Sequence, residues 1–494
     1  MSFLAGFPSS DADWLALTLV IPLVGAAIAF LVPRRATLAG LASLAATGAC
    51  VAVLAARVMA QESIATTLGG PAAPIGIGLR VDGLSVVMLA MAVLVVLVAG
   101  LGAIDAFGRR RAGAEGERAL RAFWPLALTL LAGLCGIYVA TDLFSLYVLV
   151  ELVGLASVGL AVLGGRLEAM RAGFEYLTTS MLGALFFLMG VAFVWLQAGR
   201  LDFEGVAAHA GEPAMLAAFA LMLIGLSLKA ALFPVSFWLP RTHARASAPA
   251  SALLSALVHK ASLYILLRLW IEIFTPSDAI GLLLGLMGTG AIVWGSINAL
   301  RAERLKLLVA WSTVSQMGLM CVAFALADTT GAALAWQGAV LLILAHAMAK
   351  AAMFLAAGRI AAEVGHDRIA ELDRSAVRPT LAQFAFALAA VSLVGLPPSA
   401  GFAGKWLLIE GAVRADAWLF VAIAGASTAL SIAYLGRVLP GFLRSDRQEA
   451  GGREYQGWAL ADAPPLALAL LAAVSGLLAY HVLALVTLGA PFGG

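Results

Sequence analysis

Long apolar stretches, each near the length that crosses a bilayer as a helix, alternate with short polar connections along almost the whole chain. Taking about 20 mostly apolar residues per crossing, the pattern predicts spans at 14–33, 38–58, 82–104, 122–140, 142–163, 172–197 and 214–236. Further spans follow at 248–274, 279–300, 305–327, 333–358, 382–413, 417–439 and 464–488. That makes 14, and the stretch 382–413 is too long for one straight crossing. The expected fold is an all-α polytopic membrane protein, one membrane domain over 1–494. Its longest polar loops, near 59–81, 105–121, 359–380 and 440–462, are too short to bury a core of their own. Acidic Asp11 and Asp13 precede a first run long enough to cross, so that run is expected to stay as a membrane helix rather than leave as a signal peptide.

The loop charges test this count independently. One set of alternate loops carries Arg34 and Arg35, then Arg109, Arg110, Arg111, Arg118 and Arg121, then Arg166 and Arg171. It continues with Arg241 and Arg245, with Arg301, Arg304 and Lys306, with Arg359, Arg368, Arg374 and Arg378, and with Arg437, Arg444, Arg447 and Arg453. The other set holds little more than Arg57, Arg80, Arg200 and Arg414, beside Asp202, Glu204, Glu212, Asp278 and Asp328. Basic loops stay cytoplasmic, which puts both termini outside. A missed or invented helix would scramble the alternation from that point on.

Composition agrees. Hydrophobic residues make up 62% of the 494 and charged ones 12%, about half the charged share of a soluble domain. A net charge of +3 gives no case for nucleic-acid binding. Cys50, Cys135 and Cys321 lie far apart inside apolar runs, so no iron–sulfur or zinc site is expected. With no haem-attachment sequence and no glycine-rich nucleotide loop either, no cofactor and no metal is expected on this chain, and any redox centre belongs to partners.

The chemistry is carried by ionisable residues inside the apolar runs. Of five lysines, Lys229, Lys260, Lys350 and Lys405 fall within spans, and Lys306 near the start of one, while the loops use arginine. Arginine stays protonated in proteins, whereas a desolvated lysine can release its proton near neutral pH. A site that must repeatedly load and unload a proton can therefore use lysine and not arginine. The bland alternative, snorkelling of the long stem to the interface, suits one of the four, Lys405, better than all of them. Glu151 lies about nine residues past Asp142 with apolar residues on both sides. A carboxylate at that depth costs a few kcal/mol and is expected to be protonated or paired. It is either a proton carrier partnered with a lysine or an ion pair that only fixes packing.

Lys229 lies between Gly225 and Pro234, so its helix is expected to break beside it and free carbonyls there. SLVGLPPSAGFAGKW repeats the theme, with Gly395, Pro397, Pro398, Gly401 and Gly404 leading to Lys405. These are spans 7 and 12, each fourth in a unit of five, which predicts repeats over 122–274 and 279–439. Five crossings reverse direction, so the repeats are inverted. Between them lie His259 with Lys260, and His346 with Lys350 at i, i+4 on one helix face. Histidine titrates near neutrality and suits a relay; alone it is more often a packing group. Trp311 to Gln316, WSTVSQ, holds hydrogen-bonded water between these groups or simply bonds neighbouring helices.

KAALFPVSFWLPRTHARASAPASALLSALVHKASLYILLR, AHAMAKAAMFLAAG, SLVGLPPSAGFAGKW and VDGLSVVML resemble the antiporter-like membrane subunits of respiratory complex I, Mrp-type sodium/proton antiporters and membrane-bound hydrogenases. The resemblance runs from about Asp82 to Arg437. It implies 14 helices, two inverted five-helix repeats, and breaks in helices 7 and 12. It also implies a proton-transfer set: Glu151 as the fifth-helix glutamate, Lys229 as its seventh-helix partner, Lys260 and Lys350 with His346 on the central axis, and Lys405 in the twelfth helix. Leu342 stands where some relatives have a second histidine, and only a few residues follow span 14, which argues against the most distal complex I subunit. The implied protein is a proton-translocating subunit of a multisubunit complex in the bacterial inner membrane, moving H+ or Na+ beside complex I-like, hydrogenase-like or Mrp-like membrane subunits. The alternatives are an Mrp-type Na+/H+ antiporter subunit, a quinone-binding redox subunit and a non-conducting structural subunit.

Overall fold

The architecture is that of a computed structural model describing residues 10–69, 76–108, 114–165, 167–274, 277–327, 329–374, 380–443 and 460–489. Of the loop charges above, Arg109, Arg110, Arg111, Arg166, Asp328, Arg378, Arg444, Arg447 and Arg453 lie outside the described residues. Among the described residues 13 helices are long and apolar enough to cross a membrane. The remaining expected crossing, 382–413, is divided into Leu381–Val394 and Ala400–Arg414, each too short to cross alone. Span numbers below follow the 14 crossings in chain order.

Burial runs opposite to polarity as a soluble protein would have it. Span 8 (Ala248–Glu272) and span 11 (Ala332–Val364) carry the buried Lys260 and Lys350, and with span 10 (Leu305–Leu326) they form the centre. Span 1 (Asp11–Leu31), span 13 (Trp418–Phe442) and span 14 (Ala463–Val486) leave most of their apolar surface exposed. This is the arrangement lipid demands, because intramembrane polar groups must be satisfied by protein while apolar groups lose nothing by facing the acyl chains.

Two five-helix units repeat one packing scheme. In spans 4–8 each helix packs on the next, and span 4 (Ala114–Val139) closes against span 8. In spans 9–13 each again packs on the next, and span 9 (Asp278–Arg301) closes against span 13. Small residues set the closest approaches. Between spans 6 (Leu167–Ala198) and 7 (Pro213–Ala230), a Cβ on either Gly183 or Gly225 would collide with the other's carbonyl, and Gly338 and Gly404 stand in the same relation between spans 11 and 12. Backbones this close exclude any side chain and hold by dispersion.

The helix ends are written locally. Asp142 accepts from the Ser145 amide at 2.7 Å to start span 5 (Leu143–Val162), and Thr380 with Gln383 forms a capping box at the start of span 12. One element departs from the helical expectation. Within 59–81 the chain forms an antiparallel hairpin, β1 (Ser63–Leu68) with β2 (Ile77–Asp82), paired from Ser63–Asp82 to Leu68–Ile77. Its short alternating segments, SIATTL and IGLRVD, satisfy their backbone groups across two strands where a plain polar loop was expected.

Candidate functional site

Both breaks are built from the same hydrogen bonds. Span 7 ends with Ala231 in the left-handed region (φ 51°), and the Leu232 amide donates to Ser227 O at 2.9 Å. Span 12 is interrupted with Gly395 left-handed (φ 85°), and the Leu396 amide donates to Val391 O at 3.0 Å. This bond across five residues closes a helix that can no longer continue. The two breaks spend their freed carbonyls differently. In span 7 the Trp238 indole donates to Leu228 O at 3.1 Å while its ring stacks on Tyr176 at 4.3 Å. In span 12 the carbonyls of Leu393 and Val394 accept the Lys405 ammonium at 3.4 and 2.7 Å, with Thr428 Oγ1 at 3.3 Å. Lys405 thus turns inward and does not snorkel, being only 4% exposed.

Lys229, one turn before its break, donates to Glu151 Oε1 at 2.5 Å and to Ser180 Oγ at 3.0 Å. The lysine side chain is 6% exposed and the glutamate 24%, so the pair bridges the inside of the unit and its periphery. Beside it lies a cavity of about 10 Å³, lined by Lys229, Ser180 and Tyr176 on one side and Val258, Ala261 and Ser262 of span 8 on the other. That is about the volume one water needs.

Beyond this cavity the two central lysines have no carboxylate within ion-pair distance among the described residues. Lys260 donates to the Ser255 carbonyl. Lys350 donates to Val309 O at 2.8 Å and to Ser312 Oγ in span 10. Span 8 contains a π-helical turn, Leu254–Val258, immediately before His259 and Lys260. The WSTVSQ stretch links neighbours on all sides. Thr313 meets Ser255 at 3.1 Å, Ser315 meets Ser296 at 3.0 Å, and Gln316 donates to Ser431 of span 13 at 3.2 Å. His346 is buried one turn from Lys350 and neither ring nitrogen has a hydrogen-bond partner among the described residues.

Comparison with known proteins places this geometry. The family described as NADH:quinone oxidoreductase/Mrp antiporter, transmembrane, matches residues 140–431, more than half of the chain. The chain belongs to that family. It is 33% identical over 456 residues to an NADH-quinone oxidoreductase subunit N of Desulforudis audaxviator, covering 88% of each chain. It is 28% identical to the D-type subunit of a Na(+)/H(+) antiporter of Bacillus subtilis over 81% of this chain and 80% of that one. Its fold matches a chain in the structure of the Mrp complex from Dietzia sp. at TM-score 0.83 and 25% identity, covering 97% and 98% of the two chains. The chain is therefore an antiporter-like multi-pass membrane subunit.

Two groups in this Mrp and NADH:quinone oxidoreductase family member escape a search for lysines in apolar runs. His243, in the short helix Trp238–Arg245 after the span 7 break, is fully buried, stacks on Phe354 at 4.9 Å and faces His259, Nε2 to Nε2 at 3.5 Å. Its setting, RTHARASAPA, reads as a polar loop, and only its place directly after the broken helix hints at burial. Arg268, inside span 8, pairs with Asp82 at 2.6 Å and Glu272 at 2.6 Å, and its Nε donates to Tyr264 at 2.9 Å. Arg80 of β2 also meets Glu272, so the network ties the hairpin, span 3 (Gly83–Gly108) and span 8 together. An arginine that never loses its charge needs fixed anions, and the buried Asp82 and half-buried Glu272 supply them. Among the described residues no group of three or more His, Cys, Asp and Glu is placed to hold a metal ion.

Proposed function

We propose that this subunit translocates protons along a row of buried lysines within a multisubunit complex of the bacterial inner membrane. A proton loads Lys229, crosses through Lys260 and the His346–Lys350 face, and leaves from Lys405. Glu151 holds the ammonium form of Lys229. Movement of the Glu151 carboxylate away from Nζ therefore favours release of the proton inward. The observation that carries the reading is that all four intramembrane lysines turn their ammonium groups to interior acceptors, and among the described residues only Lys229 of the four meets a carboxylate. The repeats over 122–274 and 279–439 supply the two half-paths, with both termini outside the cell. This chain carries no cofactor, and the energy comes from reactions or gradients handled by partner membrane subunits.

The decisive experiment places Lys229→Ala and Glu151→Ala in the assembled complex, reconstituted in vesicles, and follows internal pH with a trapped dye. Loss of transport with assembly intact is expected. Near-wild-type flux in both variants overturns the proposal and favours a non-conducting structural subunit.

A second reading, Na+/H+ antiport, is favoured by the Bacillus subtilis antiporter relative and by the fold match to the Mrp complex. It predicts that an imposed sodium gradient drives proton flux in the same vesicles and that the flux vanishes when sodium is replaced by choline.

A further inference from the structure

The π turn in span 8 and the polar stretch of span 10 meet at one hydroxyl pair that no step above uses. Ser255 Oγ and Thr313 Oγ1 are 3.1 Å apart, and both residues are fully buried. Either hydroxyl can donate in this pair, and Thr313 Oγ1 also lies 3.2 Å from Val309 O. Val309 O also receives the Ser312 hydroxyl at 2.9 Å and the Lys350 ammonium at 2.8 Å. On the other side, the Ser255 carbonyl receives the Lys260 ammonium. Ser255 thus carries the acceptor of Lys260, and Thr313 touches one of the two acceptors of Lys350, the other being Ser312 Oγ.

The π turn is what makes the Lys260 contact available. In a regular α-helix successive residues turn by about 100°, so a side chain five positions on lies about 140° around the axis from the carbonyl it would need. A π turn closes i to i+5 and brings those two positions nearly above one another. Ser255 and Lys260 are five apart; Ser255 lies inside the π segment Leu254–Val258, and Lys260 follows two residues past its end. Relaxation of this turn to α-helix swings the Lys260 amine away from the Ser255 carbonyl.

We propose that Ser255 and Thr313 are positioning residues for proton transfer between Lys260 and Lys350. Their hydroxyl bond clamps the π turn of span 8 to span 10 and keeps the two ammonium-bearing acceptors in register. In the transfer one proton leaves the Lys260 ammonium and one arrives on the Lys350 amine, with no change in their summed charge. Neither hydroxyl gains or loses a proton overall. The inference rests on the proton-translocation reading above.

The test uses the assembled complex in vesicles, with proton flux normalised to the amount of complex. Thr313→Val keeps the shape and removes the hydroxyl; flux is expected to fall at least tenfold. Thr313→Ser restores the hydroxyl and is expected to stay within about twofold of wild type. Ser255→Ala, which removes a single oxygen, is expected to match Thr313→Val and serves in its place should that variant fail to assemble. Unchanged flux in Thr313→Val or Ser255→Ala, while Lys229→Ala is inactive, overturns the positioning role alone. Equal losses in Thr313→Val and Thr313→Ser also overturn it, since a hydroxyl would then not be the active feature. Normal flux in Lys229→Ala as well brings down the translocation reading itself.

Discussion

Lys229 differs from Lys260, Lys350 and Lys405 in closing an ion pair, with Glu151, and that makes removal of either partner asymmetric. Glu151→Gln leaves a buried ammonium with neutral acceptors only, the Gln amide oxygen and Ser180, and breaking a buried pair from one side costs about 3–5 kcal/mol. The partial exposure of Glu151 places the expected cost at or below the lower end of that range. Glu151→Gln combined with Lys229→Met removes both charges and is expected to recover most of the stability while staying inactive. Thermal unfolding in detergent, followed by tryptophan fluorescence, checks this: the double variant should melt above Glu151→Gln. At this scale the lysines and Glu151 were legible because a charge inside an apolar run has few innocent explanations. Arg268 and His243 were not: the first lies inside the predicted span 248–274 but keeps its proton and so falls outside a search for releasable charge, and the second sits in polar surroundings that suggest solvent.

The broken helices share one geometry but not one residue type, and that gives a paired prediction. Gly395 has φ 85°, and a Cβ there would meet Lys405 Cδ at 2.8 Å. Gly395→Ala is therefore expected to lose about 1–2 kcal/mol from the left-handed backbone alone and, by pushing on the lysine stem, to reduce transport severalfold. Ala231 already has left-handed backbone with a Cβ, so Ala231→Gly is expected to raise the melting temperature or leave it unchanged, with transport retained. The opposite signs at equivalent positions are read in one series of melting curves and flux assays. Glycines and prolines announced both breaks in the sequence. The π turn did not announce itself, because ASALLSALVHK has the apolar content of any crossing helix and its geometry is settled by contacts with span 10. The hairpin was equally hidden, its strands being only six residues each.

Across the whole molecule, the network of Arg268, Asp82, Glu272 and Arg80 joins span 8 to the hairpin far along the chain from it. Arg268→Ala leaves the buried Asp82 without its cationic partner and Glu272 with Arg80 alone, and is expected to cost about 3–5 kcal/mol, seen as a lower melting temperature and less assembled protein. The count of crossings was readable from apolar length and the rhythm of basic loops, while the pointer to paired five-helix units came from the matched glycine and proline breaks. The resemblance placed Lys260 and Lys350 on a central axis, and their spans do form the centre; that span 10 joins them was less legible, because its WSTVSQ stretch reads equally well as a bond between neighbouring helices. Span 8 also constrains biogenesis. It carries His259, Lys260, Arg268 and Glu272 in one crossing, and on insertion scales each charge adds about 2.5–3.5 kcal/mol in a lone helix. Span 11, which packs on it from downstream and helps to enclose these groups, does not exist until the ribosome has made about 70 more residues, the interval from Lys260 to Ala332. A nascent chain stopped after span 9 should therefore let span 8 slip from the translocon back into water, whereas one extended through span 11 should retain it. Accessibility of a cysteine placed in span 8 to a water-soluble maleimide would separate the two.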